Sequence, residues 1–233
     1  MPTSLQAMRS PPGVLLLLVL SATPVPVRAA PSGPVPPSDA LALVRQLYAQ
    51  SHPPQLVAYV TGGAAQLPSW LLATPGASRS VLDFQMPYSR GSVDQLLSRT
   101  PPRYCSAAVA RDLATAAFER ARTLRPTAAG AAPCVGLGLT AVLMSEPMRK
   151  GSHRCLLAVR TERGLHEVSL ILSKGARSRS REDAVCSRLA LLALAESVGV
   201  KPPDGDAFWR LPADEAEHDK LVAEEQLEIH RSA

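Results

Sequence analysis

Hydrophobic positions along the chain follow the spacing of helices in some segments and of strands in others. Apolar residues recur at helical intervals in residues 39–51 and again in residues 106–124, where Ser106 supplies an N-cap. A short apolar run over residues 55–60 ends at two glycines, and a second apolar stretch covers residues 67–73. This order predicts a helix, a strand, a tight turn and a second helix, followed later by a long helix.

The remaining segments add strands. Residues 80–86 form an apolar strand pattern, residues 135–141 a glycine-containing one, and a fourth helix is expected over residues 182–198. Residues 154–160 and 165–172, joined by a four-residue turn, predict a β-hairpin. Helices between strands together with one hairpin predict an α/β fold, a three-layer α/β/α sandwich with a mixed sheet, over residues 39–200.

The first residues have the pattern of a targeting segment. Arg9 precedes the apolar stretch 14–20, which is too short to span a bilayer, and residues 27–29 offer small side chains at a cleavage spacing. We therefore expect residues 1–29 to be a signal peptide or other targeting segment and residues 30–38 a Pro-rich leader. This places the protein in the secretory pathway or an organelle, without a stable membrane span; a cytoplasmic location is the alternative.

The end of the chain differs in composition. Acidic residues outnumber basic ones after residue 201, although the whole chain has a net charge of +5. We expect residues 201–233 to hold a linker and an acidic helix over 213–230.

The basic excess therefore belongs to residues 30–200, which suits an anionic small ligand. A nucleic-acid partner is not expected, because aromatic residues make up only 4% of the chain and no basic stripe is interleaved with them. We expect a homo-oligomer.

The cysteine and histidine positions do not predict a metal site or a cofactor. Cys105, Cys134, Cys155 and Cys186 are too far apart for a zinc pattern, and the five histidines are scattered. Up to two disulfides would be open to a secreted chain, whereas four buried thiols are the more ordinary outcome.

Gly62 and Gly63 are the local feature that most suggests a site. Glycines at a strand-to-helix turn let the backbone approach a ligand, and the first amides of the following helix favour an anion such as phosphate. A turn that binds nothing is the alternative for so short a motif.

Five short motifs follow one another along the chain, at residues 59–63, 75–78, 88–93, 138–141 and 174–177. In their order they resemble motifs of the C-terminal domain of the CinA family, the nicotinamide mononucleotide amidohydrolases. That family carries Ser-Cys-Thr-Gly-Gly, Pro-Gly-Ala/Ser-Ser, Tyr-Ser-Asn-Glu-Ala-Lys, Val-Thr-Gly and Gly-Asp-Arg at the corresponding places.

The resemblance implies that the family's catalytic pair is lost. A serine nucleophile and a lysine base are expected at the positions that Tyr59 and Val93 occupy here, and neither replacement performs those roles. Three hydroxyl groups remain as weak catalytic candidates, those of Thr61, Tyr88 and Ser89.

The ligand-binding residues implied by the same motifs are Thr61, Gly62, Gly63, Thr140 and Arg177. The hypothesis is a non-catalytic domain, a pseudoenzyme, that binds a pyridine mononucleotide or similar phosphorylated ligand. An active amidohydrolase with a relocated nucleophile and an assembly domain without a ligand are the alternatives.

Overall fold

The computed structural model describes residues 36–127, 130–202 and 226–232. The expectations for residues 1–35, including the targeting segment and most of the leader, lie outside these ranges. Within them, no helix is both long and apolar enough to cross a membrane.

Six strands form one mixed sheet in the order β2-β1-β3-β4-β5-β6. Strand β1 pairs in parallel with β2 on one side and β3 on the other, while β3, β4, β5 and β6 run antiparallel to one another. The strands are β1 (Gln55–Thr61), β2 (Val81–Gln85), β3 (Cys134–Val142), β4 (His153–Thr161), β5 (Gly164–Leu172) and β6 (Gln226–Ser232).

In the part of the chain that the structure describes, five α-helices cover the two faces of this sheet. They are α1 (Ser38–Tyr48), α2 (Leu67–Leu72), α3 (Arg90–Leu97), α4 (Ala107–Leu124) and α5 (Arg179–Ser197). Helices α1, α2 and α5 lie on one face and α4 on the other, with α3 packed against α4. The expected three-layer α/β/α sandwich with a mixed sheet is confirmed.

Alternation along β3 explains how tightly α4 packs on the sheet. Leu137 and Leu139 point into the larger core beneath α5, and Gly136 and Gly138 face α4. A Cβ atom on Gly138 would lie 2.2 Å from the Ala114 nitrogen, and one on Gly136 would be as close to α4 backbone atoms. Glycine is therefore required at both positions for the helix to rest directly on the strand.

Two local expectations were incomplete or wrong. Helix α3 was not expected. Its N-cap Ser89 and the apolar spacing of Val93, Leu96 and Leu97 favour this helix, but Gly91 weakens the pattern.

The acidic helix expected over 213–230 is wrong at its end, because Gln226–Ser232 is strand β6. Residues 203–225 lie outside the described ranges.

Candidate anion-binding cavity

A cavity of about 630 Å³ lies at the carboxyl ends of β1 and β3. The chain leaves β1 for β2 on one side and returns to β3 on the other, so this is the point where an α/β sheet ordinarily opens to a ligand. The register places Thr61 directly opposite Thr140, and both line the cavity. The two strand ends expected to share a pocket therefore do so.

The Gly62 turn is pressed against the end of β3. Gly62 has a φ of 81°, and a Cβ atom there would lie 2.2 Å from the carbonyl oxygen of Ala141. Gly62 lines the cavity, whereas Gly63 packs towards Ala141 and Leu143 outside the lining. Only glycine fits the first position, for both conformational and steric reasons.

The amides at the start of α2 are already occupied by a protein carboxylate. The backbone N–H groups of Ala65 and Gln66 donate to the two Asp183 oxygens at 3.0 and 3.2 Å. Helix α2 is also only six residues long. The expected phosphate position at this helix start is therefore wrong, because Asp183 from α5 already fills it.

Five arginines line the cavity instead, and no Asp, Glu, His or Lys is found among its described lining residues. They come from separate parts of the chain: Arg90, Arg103, Arg149, Arg154 and Arg179. Of the residues singled out in the sequence, Thr61, Gly62, Tyr88, Ser89, Val93 and Thr140 also line it. Arg177 is buried and lies outside the described lining.

None of these five arginines forms an ion pair with a carboxylate of the described residues, in contrast to several arginines elsewhere. Arg179 donates to the Met144 carbonyl at 2.9 Å and to the Tyr88 hydroxyl at 3.2 Å, and Arg90 lies 5.4 Å from the Tyr104 ring centre. The paired arginines elsewhere are in Arg99–Asp112, Arg111–Glu167, Arg120–Asp83, Arg122–Glu119 and Arg188–Asp39. The carboxylate nearest to the lining in the hydrogen bonds of the described residues is that of Asp94, which accepts from the Tyr104 hydroxyl at 2.9 Å and not from an arginine.

Three helices also begin at this cavity. Ser89 caps α3 and Ser106 caps α4, and Arg179 is the first residue of α5. Lining residues stand at or next to each of these starts. Because a helix N-terminus carries partial positive charge, the three add to the potential of the arginines. The cavity can hold an anion with more than one source of positive potential.

Two of the three hydroxyl groups proposed as weak catalytic candidates form hydrogen bonds within the protein, and the third is buried. The Ser89 Oγ accepts from the Ser92 amide at 3.1 Å as the α3 cap, and the Tyr88 hydroxyl accepts from Arg179. Thr61 is almost fully buried at the end of β1. With no imidazole, amine or carboxylate in the described lining, none of the three has a general base beside it there.

The structure separates the two positions that correspond to the family's catalytic pair. Val93 lines the cavity from α3 and is 2% exposed. Tyr59 does not line it; its ring packs with Val57 and Leu113 in the core between β1 and α4. Burial raises the Tyr59 pKa, and the Asp83 carboxylate adds to this rise. The phenol is therefore even less available as a nucleophile than its sequence position indicated.

Cys105 was not singled out as a site residue by its sequence, yet it lines the cavity. Its thiol lies 3.9 Å from the Thr140 carbonyl oxygen, and the Arg154 guanidinium donates to the Cys105 carbonyl at 3.4 Å. Burial raises the pKa of this thiol, and Arg154 opposes part of the rise. The net rise makes Cys105 a weak nucleophile near neutral pH.

A buried polar contact fixes the loop that carries Arg149. The Glu182 carboxylate in the first turn of α5 accepts from the Met144 amide at 2.6 Å and lies 2.6 Å from His153 Nδ1. Glu182 and His153 are both fully buried. Among the described residues, no group of three His, Cys, Asp or Glu side chains is arranged to hold a metal ion.

Fold and cavity together define an α/β domain with a candidate anion-binding site at the carboxyl ends of its parallel strands. A solved structure has a similar fold. The competence/damage-inducible protein CihA from Agrobacterium tumefaciens aligns over 70% of this chain and 97% of its own, with a TM-score of 0.51 and 17% identity.

A CinA superfamily protein from Escherichia coli aligns over 68% of this chain and 88% of its own, with a TM-score of 0.48 and 16% identity. One from Enterobacter cloacae covers 73% and 98%, with a TM-score of 0.48 and 10% identity. No protein-family model and no curated protein matches the chain. At 17% identity the likeness to CihA establishes the fold alone.

Proposed function

We propose that this CinA-like domain binds a phosphorylated small molecule in the cavity between β1, β3 and the starts of α3, α4 and α5. The observation that carries the proposal is the set of five arginines without carboxylate partners among the described residues. Arginine matches phosphate in charge and in the geometry of its donors. A volume of about 630 Å³ is in the range of small-molecule sites.

A pyridine mononucleotide is the ligand to test first, because the sequence motifs resemble those of nicotinamide mononucleotide amidohydrolases. The cavity offers guanidinium groups for the phosphate, and the exposed Tyr88 ring at its wall offers apolar surface for a heterocycle. Aromatic side chains bind flat rings by stacking.

The same domain does not cleave an amide by the family mechanism. A serine nucleophile with a lysine base acts as one unit, and here Tyr59 is in the core and Val93 is apolar. Loss of such a unit removes on the order of a million-fold of rate. Binding without this chemistry is what the remaining residues support.

The test is calorimetric titration of the purified full chain with nicotinamide mononucleotide and with inorganic phosphate. We expect binding of at least one of the two, weakened about tenfold or more by Arg154→Gln, because a charge-assisted hydrogen bond is lost. Arg45→Gln is the matched control, since Arg45 is exposed on α1 and outside the described lining. Absence of binding by both compounds would favour an assembly domain.

The same samples are assayed for ammonia release from nicotinamide mononucleotide. We expect none above background. Turnover that is lost in Cys105→Ser or Ser89→Ala, but kept in Arg45→Gln, would contradict the proposal and establish a hydrolase with a relocated nucleophile.

A further inference from the structure

We infer that the ligand of this cavity carries two separate anionic groups, as a nucleoside diphosphate or a bisphosphate does. This inference rests on the proposed function and names the ligand class more narrowly. The number of arginines, their positions and one buried donor support it.

The first argument is charge. A single phosphate ester carries about −1.5 to −2 at neutral pH. The cavity presents five guanidinium groups and no carboxylate among its described lining residues. One phosphate would leave about three of these charges uncompensated. By contrast, Arg99, Arg111, Arg120, Arg122 and Arg188 are each compensated by a carboxylate of the protein. A second anionic group would compensate about half of the remainder.

The second argument is that the arginines occupy two depths. Arg154, near the start of β4, is half-buried and donates to the Cys105 carbonyl oxygen, and we therefore take it as the inner arginine. The four other arginines of the lining are exposed, and we call them the rim arginines. Two of them are held in place: Arg179 by Met144 and Tyr88, and Arg90 over the Tyr104 ring. A ligand that reaches both depths needs an anionic group at each.

The third argument identifies the inner position. Arg154 Nε is buried and has no hydrogen-bond partner in the described part of the chain. A buried donor of a charged group without an acceptor is costly, so the site is suited to an oxygen of a bound anion. The inner group would contact Arg154, and the outer group would contact rim arginines such as Arg149.

The experiment compares inorganic pyrophosphate with inorganic phosphate, and ADP with AMP, by calorimetry at fixed ionic strength. We expect the compound with two phosphate groups to bind at least about tenfold more tightly in each pair. Arg154→Gln should weaken all four compounds. Arg149→Gln should weaken the diphosphates more than the monophosphates and so reduce the ratio of affinities, while Arg45→Gln leaves the ratio unchanged.

Two results would overturn the inference. Equal affinity within both pairs would mean that one anionic group suffices, and the proposed function would stand without it. The inference would also fail if tripolyphosphate bound more tightly than pyrophosphate by the same factor again, and if Arg149→Gln and Arg45→Gln changed the affinities equally. Those results would mean that the cavity attracts polyanions in general. Failure of every phosphate compound to bind would instead remove the proposed function itself.

Discussion

Tyr59 and Tyr88 show how the environment decides what a side chain of the same type does. Tyr59 is 5% exposed and belongs to the core between β1 and α4, while Tyr88 is 72% exposed at the cavity. Burial of an aromatic ring contributes to stability, and an exposed ring is free for contact with a ligand. The first tyrosine is structural and the second belongs to the site.

Tyr59→Ser should therefore lower the free energy of unfolding by about 3 kcal/mol, because removal of the ring leaves a cavity in the core. Tyr88→Ser is the matched control and should change it by no more than about 0.5 kcal/mol. Urea denaturation of the two variants measures both values. Equal effects would show that the Tyr59 ring is not part of the core.

The consequence for catalysis is direct. A serine at position 59 would face Val57 and Leu113 rather than the cavity. We therefore expect Tyr59→Ser combined with Val93→Lys to release no ammonia from nicotinamide mononucleotide, although the motif positions alone would predict partial recovery.

Gly62 allows a steric effect to be separated from a conformational one. Gly62 and Gly175 both have a φ of 81°, but a Cβ atom on Gly175 would meet nothing within 4 Å. Gly175→Ala should cost about 1 to 2 kcal/mol of stability, for the left-handed backbone alone. Gly62→Ala should cost about 1 to 3 kcal/mol more, because its methyl group would meet the Ala141 carbonyl. Equal losses on denaturation would contradict the close contact.

At the scale of elements, the first turn of α5 connects two segments that shape the cavity. Glu182 binds the Met144 amide beside the loop that carries Arg149, and Asp183 binds the amides of Ala65 and Gln66 after the Gly62 turn. One helix end therefore contacts both segments through two adjacent carboxylates.

Glu182→Ala should lower the free energy of unfolding by about 3 kcal/mol, because the Met144 amide and the His153 ring would lose a buried partner. Glu119→Ala is the control: Glu119 pairs with Arg122 on an exposed face of α4, and its loss should cost at most about 0.5 kcal/mol. Thermal or urea denaturation distinguishes them. A Glu182→Ala variant as stable as the control would exclude an anchoring role.

At the scale of the whole molecule, strong periodicity predicted most of the fold. The hairpin of β4 and β5 and helix α4 lie close to their expected bounds, because their apolar spacing agrees with their final burial. Strand β6 was expected as part of a helix, because acidic residues precede it. Its pairing partner β5 is distant in the sequence, so the strand leaves only a short pattern in its own local sequence.

The cavity was only partly predictable. Parallel pairing of β1 and β3 brings Thr61 and Thr140 together. The sequence indicated this proximity, because parallel strands of such a sheet end at the same edge. The arginines come from α3, two loops, β4 and α5, so no local motif joins them. The role of Asp183 was hidden for the same reason, because it lies more than a hundred residues from the amides that it binds.

The half-buried thiol of Cys105 gives the protein a natural labelling position. The other three cysteines are buried, so a thiol-specific fluorophore would couple first at this one. Coupling would be slow at neutral pH and faster in alkaline buffer, since burial raises the pKa of the thiol and the thiolate is the reactive form. The emission of the attached dye would then follow occupancy of the cavity in the unaltered sequence.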